Sequence, residues 1–261
     1  MFGNISLCRK LLHLIPLIPV YIIIFTVIYG FTNYFALPLI HNSQLITITA
    51  IFEFITIGIF YFCALMVLVC HSLSMCSSPG EVAKSPVYSK DNRSLYCDKC
   101  DTARPYRSHH CKVCNKCILK MDHHCPWVAN CIGFRNHKYF CLLIIYGFLT
   151  SLLIFLTFWE VVLIVNTGGY SIMLGIMYSF MYVSNFGLLC FMTYLLNANY
   201  YLVMSNQTVI EKADRDRFGT AKFNFYDKGK YHNFKSVFGD NILFWFLPFS
   251  PNYKGKGIIF Y

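Results

Sequence analysis

The sequence predicts an all-α integral membrane protein: four transmembrane helices with a cytosolic cysteine-rich insert between helices 2 and 3. Three observations predict it. The 261-residue chain is 56% hydrophobic and 13% charged, with a mean hydropathy of +0.49, whereas soluble domains carry about 25% charged residues. Its cations are segregated, because residues 11–39, 46–70, 139–165 and 172–204 hold no Lys or Arg. The cysteines are bunched: seven of thirteen, with four histidines, fall within the 35 residues from Cys97 to Cys131.

Each cation-free stretch meets the roughly 20 apolar residues that a membrane span needs. The first is too deep and too long for a cleavable signal, and no small-residue cleavage site follows it. It is read as a retained helix. Glu53 and Glu160 fall near the outer ends of helices 2 and 3, where a hydrated carboxyl costs little, and are read as structural groups. Arg9 and Lys10 precede the first stretch, eleven cations lie between Lys84 and Lys138, and nine between Lys212 and Lys256. The short connections near 38–44 and 166–171 contain none. All 22 cations therefore fall on one side, and the positive-inside rule makes that side the cytosol. Both termini and the insert are expected there, in a multi-pass arrangement.

The resulting organisation is residues 1–70 (N-terminal segment and helices 1–2), 71–138 (insert), 139–204 (helices 3–4) and 205–261 (cytosolic tail). A formal net charge of +10 then faces anionic headgroups of the lipid bilayer, and no nucleic-acid partner is expected. The sequons at Asn4, Asn92 and Asn206 lie on the cytosolic side and should stay unmodified.

A reducing cytosol disfavours disulfides and favours metal or catalytic roles for dense cysteines. Cys97-x2-Cys100 and Cys111-x2-Cys114-x2-Cys117 supply five thiolates, and Cys131 a sixth. This is the spacing of structural zinc. Two Cys3His sites would take six cysteines and two histidines, leaving one thiol over. Cys125, which follows Asp122-His123-His124, is the candidate for that leftover nucleophile. Spacing alone does not choose between His109 and His110, or between His123 and His124, as ligands. The insert has few apolar residues, and Pro86, Pro105, Pro126, Gly80 and Gly133 argue for loops and short hairpins. Two structural Zn2+ ions would supply the stability that so small a core lacks.

These residues resemble a known family. The segment Cys97–Cys131, centred on Asp122-His123-His124-Cys125-Pro126-Trp127, is similar to the cysteine-rich domain of the DHHC protein S-acyltransferases (palmitoyltransferases). Arg104-Pro105-Tyr106-Arg107-Ser108-His109-His110-Cys111 upstream and Asn130-Cys131-Ile132-Gly133-Phe134-Arg135-Asn136 downstream agree with it. Other motifs are altered. Ser78-Pro79-Gly80 stands for Asp-Pro-Gly, and Thr208-Val209-Ile210-Glu211 for Thr-Thr-x-Glu, with the second threonine lost. The stretch 231–239 resembles the C-terminal Asn-aromatic-x-x-Val-Phe-Gly element through Asn233.

The resemblance implies two-step chemistry. A long-chain acyl group passes from an acyl-CoA such as palmitoyl-CoA to the enzyme's cysteine, then to membrane-proximal cytosolic cysteines of protein substrates. It assigns Cys125 as nucleophile, His123 as base and Asp122 as its orienter. It assigns Cys97, Cys100, His110 and Cys117 to one zinc site, and Cys111, Cys114, His124 and Cys131 to the other. Trp127 is expected at the mouth of an acyl cavity among the spans, Thr150 and Ser151 at its depth, and Arg104 and Arg107 on the CoA phosphates. Thr208, Glu211 and Asn233 are expected to tie the tail to the insert. The membrane is expected to be Golgi or endoplasmic reticulum. A scaffold protein would have no use for a thiol beside His123, and a metal transporter would carry ligand pairs within its spans, which hold none.

Overall fold

The computed structural model describes residues 15–37, 48–83, 96–168, 171–219 and 224–251. Arg9, Lys10, the sequons at Asn4 and Asn92 and the Glu160 side chain lie outside this description. Helix α1 (Leu17–Phe31) continues as a π-helical turn over Thr32–Ala36. Then come α2 (Ile48–Cys76), α3 (His137–Thr167) and α4 (Ile172–Met204). Among the described residues, three segments, Ile51–Cys76, His137–Trp159 and Ile172–Met204, are long and apolar enough to cross a membrane, and α1 is a shorter apolar helix. Helix α2 runs six residues past the expected end at residue 70. Nothing from His71 to Cys76 breaks a helix, and the chain leaves it only before Ser78-Pro79, where proline disfavours helix in the residue before it.

The described chain forms two compact units. One comprises residues 18–68 and 143–197. Its core gathers Phe31, Phe60, Ile154, Phe158 and Tyr178, with the Phe31 and Phe60 rings stacked at 3.7 Å. Several polar groups here find partners within the unit, as a lipid setting favours. The Thr32 and Tyr61 hydroxyls meet at 2.7 Å, and Asn185 Nδ2 donates to the Ser151 carbonyl at 3.1 Å. Outward side chains such as Phe180 and Val183 are apolar and exposed. A cavity of about 410 Å3, lined by Ile22, Val27, Ile154, Phe180 and Asn185 among others, lies within this unit.

The other unit holds, among the described residues, 15–17, 69–83, 96–142, 198–219 and 224–251. It contains three antiparallel hairpins of two or three residues per strand. They are β1 (Tyr96–Cys97) with β2 (Thr102–Ala103), β3 (His109–Cys111) with β4 (Lys116–Ile118), and β5 (His123–Cys125) with β6 (Asn130–Ile132). Strands this short have little stability alone. They are braced by the Ser78-Pro79-Gly80 turn, whose Gly80 carbonyl accepts the Leu119 N–H at 2.8 Å. Gly80 has φ +97°, which calls for glycine. Gly133 is required by crowding, since a Cβ there would lie 2.6 Å from Ile118 Cγ2 and 2.8 Å from the Pro79 oxygen.

Two tail helices complete this unit. Helix α5 (Val209–Phe218) starts on a capping box, with Thr208 Oγ1 accepting the Glu211 N–H and the Glu211 carboxylate accepting the Thr208 N–H. Helix α6 (Lys230–Phe238) buries Asn233, which donates to the Met204 carbonyl at 2.7 Å and so fastens α6 to the end of α4. The apolar run after Gly239 forms a 3-10 turn, Ile242–Phe244. Its Phe244 carbonyl and that of Phe249 accept from the buried Lys138 ammonium at 2.7 and 3.0 Å.

Candidate active site and metal centres

The hairpin registers assemble two four-residue clusters. His110 lies opposite Cys117 in β3–β4, and His124 opposite Cys131 in β5–β6. Each such pair is completed by a Cys-x2-Cys knuckle, Cys97/Cys100 in the first case and Cys111/Cys114 in the second. The ligand atoms of each cluster lie within 4.8 Å of one another. Alternation along a strand turns His109 and His123 to the opposite face from His110 and His124. Because β3–β4 supplies residues to both clusters, each ion would hold the other's hairpin in place.

The donor sets fit a tetrahedral ion. Zinc bond lengths imply S···S edges of about 3.8 Å and S···N edges of about 3.6 Å. Cys114 and Cys131 sulfurs are 3.4 Å apart, and Cys100 and Cys117 sulfurs 3.7 Å. His124 Nδ1 stands 3.4–3.7 Å from Cys111, Cys114 and Cys131, and His110 Nδ1 3.2–4.0 Å from Cys97, Cys100 and Cys117. Three thiolates and one imidazole are the soft donor set of a closed, structural site.

Cys125 is the thiol in this stretch that neither cluster takes. It ends β5, is 4% exposed, and lies close enough to His123 to act on that imidazole electrostatically. His123 Nδ1 donates to Asp122 Oδ2 at 2.8 Å. Burial pulls the His123 imidazole down, but the Asp122 hydrogen bond and the Cys125 sulfur outweigh it and lift it to about 9. Asp122 is 1% exposed. Burial pushes its carboxyl up, yet the His123 hydrogen bond and nearby imidazoles hold it below the usual range. The Phe140 ring packs edge-on to His123 at 5.2 Å. A thiol, an imidazole and a buried carboxylate in sequence are the parts of an activated nucleophile.

Sequence reasoning did not find the second partner of Asp122. Its Oδ1 accepts the Val209 N–H at 2.8 Å. That donor belongs to the first turn of α5, where N–H groups have no partner inside the helix and carboxylates are favoured. The contact is made by backbone, so the valine that replaces threonine in this motif preserves it.

Arg107, expected on the CoA phosphates, is held by groups of the protein itself. It is 7% exposed, grips both Glu211 carboxylate oxygens at 2.6 and 2.8 Å, donates to the Asn206 carbonyl, and stacks on the Tyr226 ring. A bidentate pair of this kind is an internal strut, joining the insert to the tail motif. Arg104 is half-buried. Lys120, which carried no expectation, is buried next to these groups; burial and the Arg107 charge bring its ammonium down to about 7. Trp127 is 55% exposed, and its carbonyl meets His71 Nε2 at 3.0 Å. Thr150 and Ser151 are buried in the other unit, with Ile154 one turn on lining the cavity.

Comparison with known proteins bears on this geometry directly. The family model for the DHHC palmitoyltransferase matches residues 90–216. Palmitoyltransferase ZDHHC2 of Danio rerio is 38% identical over 170 residues, which are 62% of this chain and 46% of that protein. The Schizosaccharomyces pombe palmitoyltransferase pfa3 is 33% identical over 216 residues, covering 77% of this chain and 64% of that protein. An Arabidopsis thaliana probable protein S-acyltransferase 12 is 29% identical over 163 residues, covering 59% and 53%. The chain spans about half the length of the curated relatives it matches. Segment 90–216, with both cysteine–histidine clusters and the Asp122-His123-His124-Cys125 motif inside it, is thus similar to the DHHC palmitoyltransferase domain.

Proposed function

We propose that this protein is a protein S-acyltransferase that moves a long-chain acyl group, palmitoyl first among them, from acyl-CoA to cysteines of membrane-associated proteins. The observation that carries this is Cys125: the thiol both clusters leave over, beside an imidazole held by a buried carboxylate. In the first step the Cys125 sulfur, its proton transferred to His123, attacks the thioester carbonyl, and coenzyme A leaves as a thiolate that takes that proton from His123. In the second a substrate thiol attacks the new thioester, His123 accepting its proton, and Cys125 is released. Thioester exchange is nearly even in energy, so the enzyme's task is to ionise each thiol and align it.

The two clusters would hold Zn2+, which would supply rigidity to the Cys125 hairpin and take no part in the transfer. Four spans are inferred, α1 together with its π-helical turn being the first. The insert and both termini face the cytosol in this reading, which rests on the charge segregation, and an endomembrane such as Golgi or endoplasmic reticulum is the setting. The acyl tail belongs in the apolar interior among the spans, since each buried methylene contributes about 0.8 kcal/mol. Arg104 remains the proposed phosphate contact of its segment, and Trp127 the aromatic group at the membrane face.

The test is labelling of the purified protein with an alkyne palmitoyl-CoA, wild type beside Cys125→Ser, followed by transfer to an acceptor peptide carrying a membrane-proximal cysteine. Hydroxylamine-sensitive label on the wild type alone, passed on to the peptide, is expected. Equal label on both proteins would mean that Cys125 is not the acyl carrier.

A further inference from the structure

The hairpin that carries Cys125 is fastened to the end of helix α2. Asn130, the cross-strand partner of Cys125, sends its amide to the carbonyls of Ser74, Met75 and Ser77 at 3.1, 3.1 and 2.9 Å. Asn136 reaches the Ser74 carbonyl as well, at 3.3 Å. These contacts have a plain structural use, because the last carbonyls of any helix need donors.

His71 is different. It lies more than a turn before that end, 1% exposed, in a run where a leucine would pack without burying polar atoms. Its Nε2 meets the Trp127 carbonyl at 3.0 Å. A carbonyl only accepts, so Nε2 carries the hydrogen. Trp127 is the middle residue of the 3-10 turn Pro126–Val128, which leaves Cys125 directly and reverses the chain into β6. One bond from α2 therefore reaches the turn, and the asparagine bonds reach the returning strand. Between them they set where the Cys125 sulfur stands relative to the membrane end of α2.

We propose that His71 is a positioning residue for acyl transfer: its Nε2–H holds the Pro126–Trp127 turn so that the Cys125 sulfur meets the acyl carbonyl at reacting distance and angle. This rests on the acyltransferase reading above. An error near 1 Å in such an alignment lowers a rate by roughly a hundredfold while leaving substrate binding largely intact. The effect belongs in kcat rather than KM.

The test compares two amides in the full-length protein in detergent. In His71→Gln the amide nitrogen reaches about where Nε2 stood, and in His71→Asn it falls short. Single-turnover acylation is followed across palmitoyl-CoA concentrations, with bound metal per chain measured on the same samples. The expected result is His71→Gln within about fivefold of wild type, and His71→Asn slower by roughly 10- to 100-fold in kcat. KM and metal content should be unchanged in both. Equal rates for the two variants would overturn the proposal, as would loss of metal in step with activity, since His71 would then support folding only. Wild-type protein that never becomes acylated would instead overturn the acyltransferase reading itself, so the two failures are distinguishable.

Discussion

At neutral pH the His123 imidazole keeps its second proton, because Asp122 and the Cys125 sulfur lift it from 6.5 to about 9 against the opposing pull of burial. A group raised in this way stabilises the fold while protonated. Its contribution is complete below pH 6.5 and is lost as the pH rises through about 9. The thermal midpoint of wild type should therefore exceed that of His123→Gln most at pH 6, and the gap should close above pH 9; a gap that does not vary with pH would contradict this pairing. Val209 offers a cleaner probe of Asp122. Proline is accepted at the first position of a helix, and Thr208 already has the extended conformation, ψ 162°, that a following proline demands. Val209→Pro should keep α5 while removing the N–H that Asp122 accepts, and self-acylation should fall roughly tenfold or more, in line with about 1.5–3 kcal/mol for a hydrogen bond to a charged group. Unchanged acylation would show that this bond does not matter to the site. The six clustered cysteines and the leftover Cys125 were legible because spacing and residue type announce them, whereas the choice of His110 and His124 over their neighbours rested on the resemblance and is the one the clusters make. The Val209 donor was not, since a backbone N–H has no signature. The Arg107 pairing was hidden for a related reason: its partner Glu211 is 104 residues away, and only folding brings the two together.

Short hairpins on a small core depend on close approach and on metal. Gly133 sits where a methyl would press on Ile118 and the Pro79 oxygen, and overpacking of this kind costs about 1–3 kcal/mol. Gly133→Ala should lower the thermal midpoint and weaken metal retention together; a variant of wild-type stability would mean the turn relaxes freely. Removing metal should act more locally. With a strong chelator, the stretch 97–131 is expected to become protease-sensitive and self-acylation to stop, while the far-UV helix signal from α1–α4 persists. Protection of that stretch without metal would remove the clusters from the account. At this scale the sequence foretold loops and hairpins from its prolines and glycines, and α4 begins and ends where hydropathy placed it. It did not foretell that α2 extends to Cys76, because the amides that donate to the carbonyls at its end come from Asn130 and Asn136 across the fold.

Hydropathy and charge segregation act on the whole molecule, and they made the membrane class readable before any motif. Three long apolar helices agree with it, and the tail packs by contacts such as Lys138 with Phe244 that composition cannot announce. Thr150 and Ser151, buried near the wall of the 410 Å3 cavity, are where the acyl chain should be measured. Thr150→Phe should shift preference toward shorter acyl-CoAs, read by competition among chain lengths; an unchanged profile would place the chain elsewhere. The central claim is that Cys125 carries the acyl group. Intact-mass spectrometry of the purified chain after exposure to palmitoyl-CoA tests it most directly. One palmitoyl adduct, released by hydroxylamine, mapped to Cys125 and absent from Cys125→Ser, is the predicted result. An adduct that survives the substitution, or maps to Cys76, would contradict it.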